Sequence, residues 1–264
     1  MNAQRILSLL LLFLAIACVV LIVIIELPTA PAVKSAPENS TAELKGSSVT
    51  TLQDGRLLIS GGTGDDQTPR PLVQVFKDGS VITVQPLLIA RSHHASVTLK
   101  DGSVLVMGGS TASGATAETE SYDPKTDEWH KQASMANRRM DHTATLLPDG
   151  RVLVAGGSGS AAAGKSVEIY DPKKNLFSDA GQLKMARASH AAGISQGGNV
   201  IIRGGIDPNG KEVGTTEVFD PVKGVSTLDQ TTVRRTDPRA NEMSLFSLFA
   251  YIKNYWMPAE GGSR

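Results

Sequence analysis

A glycine pair returns four times at an almost constant step, as Gly61-Gly62, Gly108-Gly109, Gly156-Gly157 and Gly204-Gly205. A period of 47 or 48 residues fixes the architecture of such a chain before any single side chain is weighed, because each unit must be one supersecondary module stacked on its neighbours. The rest of the unit keeps the same beat. A turn dipeptide precedes each glycine pair (Asp54-Gly55, Asp101-Gly102, Asp149-Gly150, Gly197-Gly198), and dipeptides of this kind predict a tight type I′ hairpin. Between turn and pair lie short apolar runs, Arg56-Leu-Leu-Ile59, Val104-Leu-Val-Met107, Arg151-Val-Leu-Val-Ala155 and Val200-Ile-Ile-Arg203, which read as buried strands. A third strand follows and stops at Asp-Pro, in Glu120-Ser-Tyr-Asp-Pro124, Glu168-Ile-Tyr-Asp-Pro172 and Glu217-Val-Phe-Asp-Pro221, since proline cannot donate to a ladder. The first copy is degraded here, with Val73-Gln-Val-Phe76 before Asp78-Gly79. A fourth, outer strand carries Trp129 in one copy and Phe177 in the next.

Taken in order, a histidine and alanine at a strand start, Asp-Gly, Val-Leu-Val-x-Gly-Gly, Glu-x-Tyr-Asp-Pro, an aromatic and Met-Ala-x-x-Arg resemble the kelch repeat of bacterial secreted proteins. The resemblance covers about residues 41 to 230. It implies an all-β, kelch-type β-propeller with four recognisable four-stranded blades. Four is at the small end of the range for such rings, so the expectation is either a four-bladed ring, an open stack completed by a second copy or partner, or part of a longer protein.

Around this domain, at 41–233, the chain changes character. Residues 6–25 are twenty consecutive residues without a charge, long enough for one transmembrane helix, with a five-residue N-terminal segment before it. The length of the apolar run favours an uncleaved signal anchor over a cleaved leader. Arg5 on the short side predicts that this side is cytoplasmic and the propeller extracytoplasmic, periplasmic or extracellular. Cys18, the sole cysteine, lies inside the run, so the propeller has neither a disulfide nor a thiol nucleophile; its faint lipoprotein-box context is opposed by the apolar residues that continue past it. Residues 26–40 are proline-rich and small and read as a linker. After Val233 comes a polar break, and residues 243–257 place Leu245, Leu248, Phe249, Ile252, Tyr255 and Trp256 on one helical face, as a cap on the propeller, an interfacial helix or the start of a further domain.

Charge gives no partner class. Lysine plus arginine and aspartate plus glutamate both number 26, which offers no electrostatic case for nucleic acid. No nucleophile elbow, zinc-helix motif, cysteine pair or phosphate loop is present, and no cofactor is expected. The cysteine-dependent copper site of some kelch-type oxidases cannot be built by this chain, whose one cysteine is in the apolar run.

Two in-phase sets are candidate sites. Arg91, Arg139 and Arg187 stand 48 residues apart before successive innermost strands, and the resemblance implies that arginines there can line one mouth of the channel and grip acidic peptides. The competing reading pairs each with a carboxylate of a neighbouring blade, Glu120, Glu168 and Glu217 being in phase. His94, His142 and His190 share the step and offer a converging zinc or copper site, against which stands a purely structural hydrogen-bonding role; the first copy has Ser47 there. His93 and His130 fall outside that phase and read as surface residues. The loops after the glycine pairs differ most between copies, and specificity resides in such loops; Asp65, Asp66, Asp207 and Asn209 offer oxygen ligands to calcium or are simply solvated.

The function expected on this basis is a membrane-anchored extracytoplasmic module that binds protein, peptide or carbohydrate on a loop face without catalysis. The alternative implied by the resemblance is a periplasmic mutarotase of the sialic-acid kelch type, using one of the three arginines with an in-phase glutamate.

Overall fold

The computed structural model describes residues 45–77 and 80–229, so the apolar run at 6–25, the linker and the segment at 243–257 lie outside the described residues. Among the described residues no helix is long and apolar enough to cross a membrane.

Four antiparallel sheets follow one another. The first blade is β1 (Ser48–Thr51), β2 (Leu57–Ser60), β3 (Val73–Lys77) and β4 (Ser80–Thr83), paired in sequence order. The second is β5 (Ala95–Thr98) and β6 (Val104–Met107), then β9 (Thr119–Asp123) and β10 (Glu128–Gln132), with a two-stranded ribbon, β7 (Ser110–Thr111) and β8 (Gly114–Ala115), between them. The third is β11 (Thr143–Leu146), β12 (Val152–Ala155), β13 (Ser166–Asp171) and β14 (Leu176–Gln182); the fourth is β15 (Ala191–Ile194), β16 (Val200–Arg203), β17 (Thr216–Asp220) and β18 (Val225–Asp229). The outer strands of the last two blades touch through one parallel pair, Gln182 and Val225.

The hairpins correct one expectation. Only the glycine of each Asp-Gly turn has a positive φ (Gly55 84°, Gly102 93°, Gly150 95°), and Gly55 N–H donates to Leu52 O while Leu52 N–H donates to Arg56 O. A type I turn closed by a left-handed glycine, not a type I′ turn, makes the corner. The aspartates serve it differently: Asp54, Asp101 and Asp149 each accept the backbone N–H two residues on. The third strands stop where proline follows, at Asp123, Asp171 and Asp220.

The period of two within each strand divides its side chains between two neighbours. In β6, Val104 and Val106 pack with Leu58, Val75, Tyr122 and Trp129 between blades one and two, whereas Leu105 and Met107 pack with Val152, Val154 and Tyr170 between blades two and three. Leu153, Ala155, Ile169, Val200, Ile202 and Phe219 form the third seam. Burying one such side chain contributes about 1.5 to 3 kcal/mol, so with no disulfide in the domain these three seams are the main source of stability. Among the described residues no apolar cluster joins the fourth blade to the first. Four blades therefore share three seams.

Candidate functional site

In an antiparallel blade, the loops between second and third strands emerge on the same side as the connectors between blades, and this shared loop face holds every candidate site residue. The two are stitched together: the N–H groups of Gly62, Gly109 and Gly157 donate to the carbonyls of Arg91, Arg139 and Arg187. Short bridges pair Ser92 with Ser110, Met140 with Ser158 and Ala188 with Ile206.

The arginines do not line a mouth. Each runs from its connector into the blade that the connector enters, and each guanidinium is fully buried. Arg91 Nη1 donates to Gly108 O and Glu118 O at 2.6 and 2.8 Å, and its Nη2 to Glu120 Oε1 at 2.7 Å. Arg139 and Arg187 repeat the pattern, reaching Gly156 O and Ser166 O, and Gly204 O and Thr215 O, with Glu168 and Glu217 as ion-pair partners at 2.5 and 2.8 Å. Their Nη1 and Nη2 groups are all engaged by the protein, whereas Nε of Arg139 and of Arg187 finds no partner among the described residues; with all three side chains fully buried, none is offered to a ligand. The ion-pair alternative is the arrangement present, with the carboxylate on the arginine's own blade, not a neighbouring one. The glutamates tie down the connectors as well: Glu168 Oε2 accepts the N–H of Ala136, and Glu217 accepts those of Lys184 and Met185. Burial pulls Arg91 and Arg139 below the usual guanidinium value and pushes Glu120 up, each opposed by its partner.

The histidines are spacers within the seams. A Cβ at Gly61, Gly108 or Gly156 would stand 2.6, 2.8 or 2.7 Å from Cε1 of His94, His142 or His190 of the next blade, so the first glycine of the pair is the cradle for an imidazole. His94 Nε2 bonds Ser60 Oγ at 3.0 Å and His190 Nε2 bonds Thr143 Oγ1 at 2.9 Å. His142 finds no partner for either ring nitrogen, because the corresponding positions of blade two are Met107 and Ala95. Burial holds His94 down to about 3 and His190 to about 4. Among the described residues no group of three or more His, Cys, Asp or Glu side chains is placed to hold a metal ion. The loop acids bind their own loops: Asp66 Oδ1 accepts from Thr68 and Arg70, and Asp207 Oδ1 accepts the N–H groups of Asn209 and Lys211, the latter contact being the main reason its carboxyl is lowered.

A further in-phase set escaped the sequence. Gly46, His93, Asp141 and Ser189 recur at the same step, and all four have left-handed backbones (φ 71°, 55°, 55° and 52°). His93 N–H donates to Gly46 O, Asp141 N–H to His93 O and Ser189 N–H to Asp141 O, a file of hydrogen bonds that passes from blade to blade. His93 is therefore in register and not an incidental surface residue, whereas His130 is 58% exposed. Repetition of a glycine, a histidine, an aspartate and a serine has no chemical signature; what the four share is tolerance of positive φ. Non-glycine residues held there mark a place that the surrounding structure over-determines.

This file borders a loop-face cleft. Between blades three and four, Asp141, Ser158, Ser160, Lys165, Ile206 and Asp207 help to enclose about 720 Å3. Arg187 borders it with its guanidinium buried. His93 Nδ1 lies 2.9 Å from Asp141 Oδ1, and both side chains remain partly exposed. The grouping is not a nucleophilic triad: His93 Nε2 faces Gly46, on the side away from Asp141 and Ser189. What it presents is a carboxylate, an ammonium and hydroxyls over an apolar floor, a set suited to holding a polar ligand.

The Kelch motif matches residues 90–136 and, in a second form, residues 138–184. These spans are blades two and three with their incoming connectors. No curated protein shows a sequence match to the chain. Among solved structures, that of YjhT is similar over 73% of this chain, with 16% identity and a TM-score of 0.59, a likeness of fold. The chain spans about two thirds of the length of that structure, 66%.

Proposed function

We propose that this chain, a kelch-repeat protein of the β-propeller fold, is a non-catalytic binding module that takes a polar peptide, protein segment or carbohydrate on its loop face. The observation that carries the reading is the cleft between blades three and four, where Asp141 and Lys165 stand with serine hydroxyls at the end of the left-handed file. Rigid seams below and variable loops above are the division expected of a scaffold that displays a binding surface. The mutarotase alternative needs an arginine and a glutamate that reach a sugar, and its three candidate pairs are buried and bonded to each other. Residues 6–25 would anchor the module, with the propeller outside the cytoplasm. Alkaline extraction of membranes tests the anchor: a peripheral protein is released and an anchored one is retained. Screening the full chain against immobilised glycans and peptides tests the binding. Ligands whose capture is lost in Asp141→Asn support the loop face, and capture by Asp141→Asn equal to that of the wild type contradicts it.

A further inference from the structure

We infer that the uncovered faces of the first and fourth blades are the two halves of one seam, and that a second copy of this chain completes it. The inference concerns assembly and stands apart from the ligand of the loop face.

The template is written three times in the molecule. In each closed seam, the second and fourth residues of one blade's second strand meet the first and third residues of the next blade's second strand. Leu58 thus shares a cluster with Val104 and Val106, Leu105 and Met107 with Val152 and Val154, and Leu153 and Ala155 with Val200 and Ile202. Continuing this rule, the fourth blade offers Ile201 and Arg203 to a successor, and the first offers Leu57 and Ile59 to a predecessor.

Ile201 and Arg203 are exposed, and Leu57 and Ile59 are half-buried. All four residues of β6 and of β12 are buried, whereas β16 alternates buried and exposed, and Ile201 is 40% exposed where Leu105 and Leu153 are fully buried. On the first blade Phe76 holds the position that Tyr122, Tyr170 and Phe219 hold in the others; it is 38% exposed and they are buried. Its ladder partners Leu57 and Val81 lie on the same face, and Val81 is exposed as well. A strand that has no neighbour on one side has no need of leucine, isoleucine, phenylalanine and valine there.

Gly204 gives the second observation. Gly61, Gly108 and Gly156 each cradle an imidazole of the following blade, and around the Cβ position of Gly204, at φ 70°, no described residue stands within 4 Å. The fourth blade keeps the left-handed receptor for a successor that none of the described residues supplies.

A second copy suits both faces, because it carries a first blade for this fourth blade and a fourth blade for this first. The contact continues an interface already established within the chain, and the halves are opposite in kind, so head-to-tail pairing satisfies them where face-to-like-face pairing does not. Two reciprocal contacts would unite eight blades, within the range that propellers span.

The test uses full-length chains with Cys18→Ser, one carrying Ile59→Cys with one affinity tag and the other Ile201→Cys with a different tag, co-expressed and treated with a short bifunctional maleimide. Leu105→Cys with Val154→Cys in one chain is the control for a closed seam. The expected result is a product of twice the 27.8 kDa chain mass that carries both tags. Light scattering on the uncross-linked wild type should then give the same doubling, and Ile201→Glu should halve it with an unchanged circular dichroism spectrum. A monomeric wild type, or products from each single-cysteine chain alone but not between them, overturns the inference. So does a monomeric Ile201→Cys chain whose introduced thiol reacts with maleimide only after residues 230–264 are removed, since the chain's own tail would then cover the face.

Discussion

Arg139 and Glu168 meet at 2.5 Å with 0% and 3% of their side chains exposed, and the pair joins an inter-blade connector to the third strand of the blade that it enters. The relationship is structural. Breaking a buried pair on one side leaves an uncompensated charge and costs about 3 to 5 kcal/mol. Arg139→Ala should therefore lower the thermal midpoint severely, and Arg139→Met with Glu168→Leu should recover only part of the loss, because the carbonyls of Gly156 and Ser166 and the N–H of Ala136 each lose a hydrogen bond. Unfolding scans of the three proteins check this; an Arg139→Ala protein as stable as the wild type would mean that the pair holds nothing together.

Acid should destabilise the domain through its histidines. Desolvation by burial lowers His94 to about 3 and His190 to about 4, from 6.5 in an unfolded chain. Between those limits the unfolded chain binds protons that the folded one refuses, so the stabilisation is complete above pH 6.5 and declines as pH falls. Each group contributes up to about 1.4 kcal/mol per pH unit in that window. Glu120, raised by burial, works the other way above its usual 4.5, so the histidine contribution is read as a difference. His190→Gln should flatten the slope of stability against pH between 6.5 and 4; parallel slopes for mutant and wild type would refute the assignment.

The unpartnered His142 can be repaired. Thr143 supplies a hydroxyl to His190, and the residue in the corresponding place for His142 is Ala95. Ala95→Thr should stabilise the domain by about 1 kcal/mol, the ordinary net worth of a hydrogen bond, whereas Ala95→Val, of the same shape without the oxygen, should not. Denaturant midpoints of the two variants separate the hydrogen bond from added bulk.

The fold was legible because its determinants repeat. Glycine pairs, Asp-Gly turns and Asp-Pro stops at a step of 47 to 49 residues identify strands, blades and the kelch resemblance. The site was less so, for a reason visible in two sets of residues. Arg91, Arg139 and Arg187 are identical and in phase, which is what a structural requirement present in every seam produces, and a chemical reading of them led toward a ligand. His93, Asp141 and Ser189 share only a backbone conformation, which sequence letters do not display. The turn type failed on the same ground: Asp-Gly fits two corners, and the register of Leu52 with Arg56 decides between them.

The most direct test of the binding account is to measure, by calorimetry, the affinity of a ligand captured in the screen for two double variants of the full chain. One, Asp141→Asn with Lys165→Ala, alters the loop-face cleft; the other, Lys125→Ala with Lys173→Ala, alters exposed turns at the opposite end of the blades. The account predicts that the first weakens binding at least about tenfold, or about 1.4 kcal/mol, and that the second leaves it unchanged. Undiminished affinity in the cleft variant together with loss in the turn variant would contradict it and move the binding surface to the other face.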